Sequence, residues 1–209
     1  MTELPATVLA DPDWLRADLD TARAMYGPVD ERVLGTVRWY MASSVLLGPA
    51  AESAVAGRLT DPALDAVTLR LHPDGRYVDA VADRAFPGDL GEFGATLGDA
   101  LAAVVSAVSV ACGAGEPALW AIATDSLANR LLWAGQAAGD VDGAIELAGR
   151  LAAAVGHRMP APRYVTVGRN QLVRRASCCL LYRIPGEPKC VSCPRQTPEQ
   201  RAERLRPFG

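Results

Sequence analysis

Four of the chain's five cysteines, Cys178, Cys179, Cys190 and Cys193, fall within sixteen residues as Cys-Cys, ten residues, Cys, two residues, Cys. In a reducing compartment clustered thiols are more often metal ligands than disulfides, because soft thiolates hold Zn(II) or iron while cellular reductants keep free disulfides open. The Cys190-Val191-Ser192-Cys193 spacing lets a tight turn aim two sulfurs at one centre, and Pro194 stops the chain from continuing regularly. Cys178 and Cys179 are adjacent, and consecutive side chains on an extended strand point to opposite faces, so a bend has to bring both inward. Four thiolates satisfy either one tetrahedral zinc ion or one iron–sulfur cluster, and the spacing leaves both open. The fifth cysteine, Cys112, sits in an apolar stretch between Ala111 and Gly113 and reads as a small core hydrophobe.

The text around the cysteines is more specific than their spacing. Arg174-Arg175-Ala176-Ser177-Cys178-Cys179-Leu180-Leu181-Tyr182-Arg183, followed by Pro185-Gly186 and then Cys190 and Cys193, resembles the C-terminal segment of the FhuF-type ferric siderophore reductases over about residues 169–195. The resemblance implies a [2Fe–2S] cluster held by Cys178, Cys179, Cys190 and Cys193. It also implies one-electron reduction of a ferric siderophore, hydroxamate-like chelates among them, with release of Fe(II) and an intact chelator. Siderophores grip Fe(III) through hard anionic oxygens, which hold the larger, softer Fe(II) far less tightly. Gly91-Glu92-Phe93-Gly94 and Gly113-Ala114-Gly115 fit neither a dinucleotide fingerprint nor a P-loop, so the electron is expected from an external donor such as a ferredoxin. The readings in other classes are a zinc-folded binding or regulatory protein and a general [2Fe–2S] electron carrier. No HExxH, nucleophile-context serine or paired-carboxylate motif supports a hydrolase.

Charge is unevenly spread. Residues 161–209 hold ten Arg or Lys against three Glu, leaving 11 basic and 21 acidic residues in 1–160. Clustered cations concentrate anions, so Arg174, Arg175, Arg183 and Lys189 are candidates for docking an acidic donor or an anionic chelate. Nucleic acid is not expected, because no aromatic interleaving accompanies the charge. Arg38-Trp39, with Ser43-Ser44 one turn on, offers a cation, a ring and hydroxyls to an oxygen-rich chelate.

The elements that must position these groups read as helices first. Asp11-Pro12 opens an amphipathic helix through Leu15, Leu19, Ala22 and Tyr26, and Asp30 opens another through Val33, Val37, Tyr40 and Met41 until Gly48-Pro49 stops it. Residues 50–65 read as broken helix. Period two at Val67, Leu69 and Leu71, the Pro73-Asp74-Gly75 turn and 77–82 predict a β-hairpin. Two long helices follow, on Phe93, Leu97, Leu101, Val104 and Val108 and then over about 117–138, and Asp140 opens a further one through Ile145 and Leu151. Beyond Pro160-Ala161-Pro162, 164–167 and 180–183 read as strands and 184–188 as a turn. Trp14, Trp39, Trp120 and Trp133 are expected in the core.

The fold class predicted is α+β, a helix-dominated single domain with a β-hairpin or small antiparallel sheet and a cysteine-rich C-terminal lobe. Residues 1–160 form the helical body, which would bind the siderophore, and 161–209 the [2Fe–2S] segment. With 209 residues, half of them apolar, a buried core is expected and a large multidomain enzyme is not. The uncharged run 101–115 falls short of the roughly 20 residues of a membrane-spanning helix. The opening Met1-Thr2-Glu3 lacks a basic leader, so a cytoplasmic protein is expected.

Overall fold

Helix-capping residues punctuate the first two thirds of the chain. In the computed structural model, which describes residues 1–208, the Asp11 side chain accepts from the backbone N–H groups of Asp13 and Trp14 and starts α1 (Pro12–Tyr26). Asp30 does the same for Arg32 at the start of α2 (Glu31–Leu46). An Asp89–Glu92 capping box opens α4 (Leu90–Cys112), Gly115 opens α5 (Glu116–Ala138), and Asp140 caps α6 (Val141–Val155) through Gly143. Gly48-Pro49 ends α2 as expected but also opens α3 (Gly48–Val55), where proline near a helix start sacrifices no hydrogen bond.

Helices α2, α4, α5 and α6 enclose the main core around Trp39, Phe93, Leu101, Ile122, Leu127, Leu131 and Leu151. Close approach to α6 relies on glycine: a methyl group on Gly94 of α4 would overlap Ala154 of α6, and one on Gly135 of α5 would overlap Ala144. By length and composition α4 could cross a membrane. In this fold its Phe93, Leu97, Leu101, Val104, Val105 and Val108 are buried in the core.

The predicted hairpin is β2 (Thr68–Leu71) with β3 (Tyr77–Val81). It gains a strand not foreseen, β1 (Thr2–Pro5), paired antiparallel with β2 from Thr2 opposite Leu71 to Pro5 opposite Thr68. Beyond α6, β4 (Tyr164–Val167) pairs with β5 (Asn170–Val173) across Gly168. The strand expected at 180–183 is instead a 3-10 turn, Leu181–Arg183, because Leu180 adopts a left-handed backbone (φ 61°) that breaks extension. The last helix, α7 (Pro198–Leu205), opens on a Thr197–Gln200 capping box. The architecture is thus the helix-dominated α+β domain predicted, with two small antiparallel sheets.

Contrary to the sequence expectation, neither Arg38 nor Trp39 is presented to a ligand. Arg38 is 3% exposed: its Nε donates to Asp18 Oδ2 at 2.9 Å, its Nη2 donates to the Gly75 carbonyl at 2.8 Å, and its guanidinium lies 4.4 Å from the Tyr77 ring centre. It pins the hairpin turn to α1 and α2. Burial, with the Asp18 charge beside it, pushes the Tyr77 phenol up. Trp39 is 1% exposed and its indole N–H donates to the Leu119 carbonyl at 2.9 Å, tying α2 to α5. Ser43 is likewise consumed internally, 2.8 Å from the Ser126 hydroxyl. Trp120 is in the core as expected and Trp14 is partly buried, but Trp133 is 52% exposed, its ring covered by Arg130 at 5.5 Å.

Candidate metal centre

The C-terminal lobe is seated on α2 and α5 by four contacts. Val173 of β5 packs on Ala128 and Leu132 of α5, and Ile184 packs on Val33 and Val37 of α2. Asp125 of α5 accepts from Ala176 N–H at 2.9 Å, Ser177 N–H at 3.2 Å and Arg175 Nε at 3.4 Å. Arg175 in turn lies over the Tyr40 ring of α2, 4.7 Å from its centre. Asp125 thereby grips the three residues preceding Cys178 and sets the bend that the adjacent cysteines require. Leu180, left-handed just after Cys179, makes the second bend. On the far side, Cys193 N–H donates to the Cys190 carbonyl at 3.1 Å, closing the expected tight turn. Gln196 Nε2 secures that turn by donating to the carbonyls of Cys190 at 2.7 Å and Val191 at 3.1 Å.

These devices bring the sulfurs together in twos. Cys178 Sγ and Cys193 Sγ are 3.9 Å apart, close to the about 3.8 Å edge of a tetrahedral centre whose metal–sulfur bonds are about 2.3 Å. Cys179 and Cys190 form the second pair, linked by a thiol hydrogen bond. Among the described residues no three Cys, His, Asp or Glu side chains are placed to hold a single ion. Two sulfurs per metal is the donor arrangement of a two-iron cluster.

Arg175 supplies the charge the site needs. Its Nη1 donates to Cys190 Sγ at 3.4 Å and to Cys179 Sγ at 3.7 Å, and its Nη2 is buried with no hydrogen-bond partner among the described residues. A donor left unpaired beside the Cys179 and Cys190 sulfurs fits a group that brings further acceptors there. Its side chain and that of Asp125 are each 3% exposed. Burial works against the guanidinium, but the charges of Cys179, Tyr40 and Cys190 outweigh it and hold its pKa above the ordinary value. Burial pushes the Asp125 carboxyl up, opposed by the Ala176 and Ser177 N–H groups and the Arg175 charge. The Cys190 thiol, Arg175 and the Leu181 N–H hold Cys179 down to about 5, against its burial, so this ligand is ready as thiolate. Burial pushes Cys178 up in spite of the Leu180 N–H. Cys179 and Cys193 are buried, Cys178 and Cys190 partly exposed. Cys112 is elsewhere, packed against Gly35 of α2 with its thiol bonded to Val108 O at 3.0 Å.

Of the basic residues singled out in the sequence, Arg175 is no docking residue but lies under the sulfurs. Arg174 is exposed. Lys189 is partly buried, donating to the Arg195 carbonyl at 3.1 Å. Arg183 is exposed and lines a cleft of about 400 Å³ whose walls also include Cys178, Tyr182, Arg195, Arg32 and Thr36. Sequence reasoning missed Asp125, Tyr40 and Gln196. For Asp125 there was a signal, a carboxylate on an otherwise apolar helix stripe between Ala123 and Leu127.

Residues 175–195 match the family model described as the FhuF 2Fe-2S C-terminal domain. The match covers the lobe segment that holds all four cysteines, so the resemblance read from the sequence holds there and the cofactor is a [2Fe–2S] cluster. No curated protein matches the chain.

Proposed function

We propose that this iron–sulfur protein is a cytoplasmic ferric siderophore reductase. The observation that supports the reading most directly is Cys178: alone among the four cysteines, it lines the 400 Å³ cleft, while Cys179 and Cys193 are buried. A chelate seated in that cleft would lie against a metal ligand, and outer-sphere transfer asks for proximity more than for covalent chemistry. Cys178 and Cys193, and Cys179 and Cys190, would hold the cluster in pairs, and the cluster when bound supplies one-electron chemistry. Arg175, Leu180 N–H and Leu181 N–H donate to the sulfurs, which favours an added negative charge. The net reaction balances one electron: an external donor such as a ferredoxin is oxidised by one, Fe(III) in the chelate becomes Fe(II), and no bond within the chelator breaks. Loss of charge and hardness at iron then frees it from anionic oxygen donors.

The test is single-turnover mixing of anaerobically reduced protein with ferric chelates, following visible absorbance and Fe(II) trapping together. The expected result is cluster reoxidation matched one to one by Fe(II). Cys179→Ser is expected to abolish both the cluster absorbance and turnover, and Cys112→Ser to keep both. Reduced protein that transfers electrons to a ferredoxin but leaves every ferric chelate untouched would make it an electron carrier without chelate specificity. One zinc per chain with no sulfide would end the reductase reading.

A further inference from the structure

The cleft beside Cys178 has a charge pattern of its own. Arg32 comes from the first turn of α2, Arg183 from the 3-10 turn after the cysteine pair, and Arg195 from the turn after Cys193. All three side chains are exposed, and none forms an ion pair among the described residues. Among the described residues no carboxylate lines the cleft. The nearest acids in sequence are engaged elsewhere: Asp30 caps α2 through the Arg32 N–H, and Glu31 pairs with Arg23 at 2.8 Å. Gly115 and Ala118, at the positive end of the α5 dipole, form part of the wall, and Gly115 brings no side-chain cap to the first N–H groups. Tyr182 adds an aromatic face, with the Lys189 ammonium 5.9 Å from its centre.

Resting on the reductase reading, we infer that this cleft selects ferric chelates by charge and takes complexes with net negative charge, those with catecholate or carboxylate donors, in preference to neutral or cationic hydroxamate complexes. Three unpaired guanidiniums, a helix N-terminus and no opposing acid give a field that a neutral complex does not use. Guanidinium forks match carboxylate and catecholate oxygens, and the Tyr182 ring offers a catechol ring a stacking surface. The volume suits one edge of a small molecule, while a protein donor would need a broad flat patch. The preference is therefore assigned to the substrate and not to the ferredoxin.

Binding is separated from electron transfer by using Ga(III), which has the charge of Fe(III) and is not reduced. The holoprotein is titrated calorimetrically with the Ga(III) complexes of a tris-catecholate (net −3), a cyclic tris-hydroxamate (neutral) and a linear tris-hydroxamate with a free ammonium (net +1). The expected order is trianion first, by at least about tenfold over the neutral complex at low salt, shrinking as ionic strength rises. Arg32→Gln, Arg183→Gln and Arg195→Gln are each expected to weaken trianion binding about two- to fivefold and leave the neutral complex unaffected. Arg150→Gln on α6 is the charge-matched control, and unchanged visible absorbance shows that each variant keeps its cluster. Equal affinity for all three complexes, or trianion binding unchanged in the triple variant, overturns the inference even if Fe(III) chelates are reduced. Charge-selective Ga(III) binding with no reduction of the Fe(III) counterpart leaves the cleft standing and removes the reductase reading.

Discussion

Replacing Asp125 by alanine tests the claim that one carboxylate on α5 organises the metal lobe. The side chain accepts two backbone N–H groups, from Ala176 at 2.9 Å and Ser177 at 3.2 Å, and pairs with Arg175 at 3.4 Å. Each buried N–H left without an acceptor costs about 1–3 kcal/mol. Removing one partner of a buried ion pair typically costs about 3–5 kcal/mol, because the other charge stays buried. Relief of the carboxylate's own desolvation, which pushes its pKa up, offsets part of this. Asp125→Ala is therefore expected to lose about 3–5 kcal/mol, a large share of a total near 5–15 kcal/mol. With an m-value of about 2–3 kcal/mol/M the urea midpoint falls by about 1–2 M, read by far-UV circular dichroism on reduced apoprotein. The holoprotein should also shed its visible absorbance faster, since the bend before Cys178 is no longer held. The double variant Asp125→Leu, Arg175→Met removes both charges and is expected to be at least 1 kcal/mol more stable than the sum of the single losses. A loss below 1 kcal/mol for Asp125→Ala, with the double variant additive, would refute the reasoning.

Because Arg175 touches two sulfurs and Asp125 touches Arg175, the two charges are expected to move the cluster potential in opposite directions: Arg175→Gln down and Asp125→Asn up, by on the order of 100 mV, the scale of a unit charge several Å away at an effective dielectric of about 20. Redox titration monitored in the visible checks the signs, and shifts in the same direction would reduce both residues to scaffolding. Asp18→Asn, which strands the buried Arg38 guanidinium, is expected to cost about 3–5 kcal/mol in urea unfolding while chelate reduction by the folded protein is unchanged; reduced turnover without lost stability would return Arg38 to the substrate site. At the hairpin turn, desolvation pushes the Asp74 carboxyl up, but the Arg76 N–H, His72 and the Arg76 guanidinium outweigh it and hold the group down to about 2. A folded pKa below the ordinary value contributes stability above the normal carboxylate range and loses it as pH falls through about 2. An NMR titration of Asp74 with its midpoint near 4 would contradict the turn geometry.

What was legible in the sequence depended on how local its cause is. The caps at Asp11, Asp30 and Asp140 act within three residues, and all three are found capping. The hairpin around Pro73-Asp74-Gly75 is equally local. The four cysteines declare their chemistry by residue type, but their pairing was not readable, because it depends on a left-handed Leu180 and on Asp125, some fifty positions away. Arg38-Trp39 misled for the same reason: a cation and a ring in adjacent positions look like a recognition pair until Asp18 and the Leu119 carbonyl, both distant in sequence, claim them. Strand β1 escaped notice because four residues ending in proline carry little periodicity, and only β2 gives them a partner. Arg174 and Arg175 show the limit most sharply. Neighbouring arginines of one composition-rich tail end up with opposite roles, one in solvent and one beneath the sulfurs.

The lobe and the cleft share their foundations. Helix α2 carries Tyr40 under Arg175, Val33 and Val37 under Ile184, and Arg32 and Thr36 on the cleft wall. Helix α5 carries Asp125 under residues 175–177 and presents Gly115 and Ala118 to the cleft. The two helices are locked to one another by the Trp39 indole on the Leu119 carbonyl, by Ser43 on Ser126 and by Arg130 Nε on the Ser44 carbonyl. Locked in this way, the two helices move as one unit and carry Arg32 and the cysteine bend together, whereas a change in the Leu180 bend or the Arg183 turn would alter the spacing between cleft and cysteines directly. Evolution of such a protein toward a different chelate has an open route through the exposed Arg32, Arg183 and Arg195, which can change without disturbing the core. It has a closed one through Tyr40, Asp125 and Arg175, where every change is felt first by the metal.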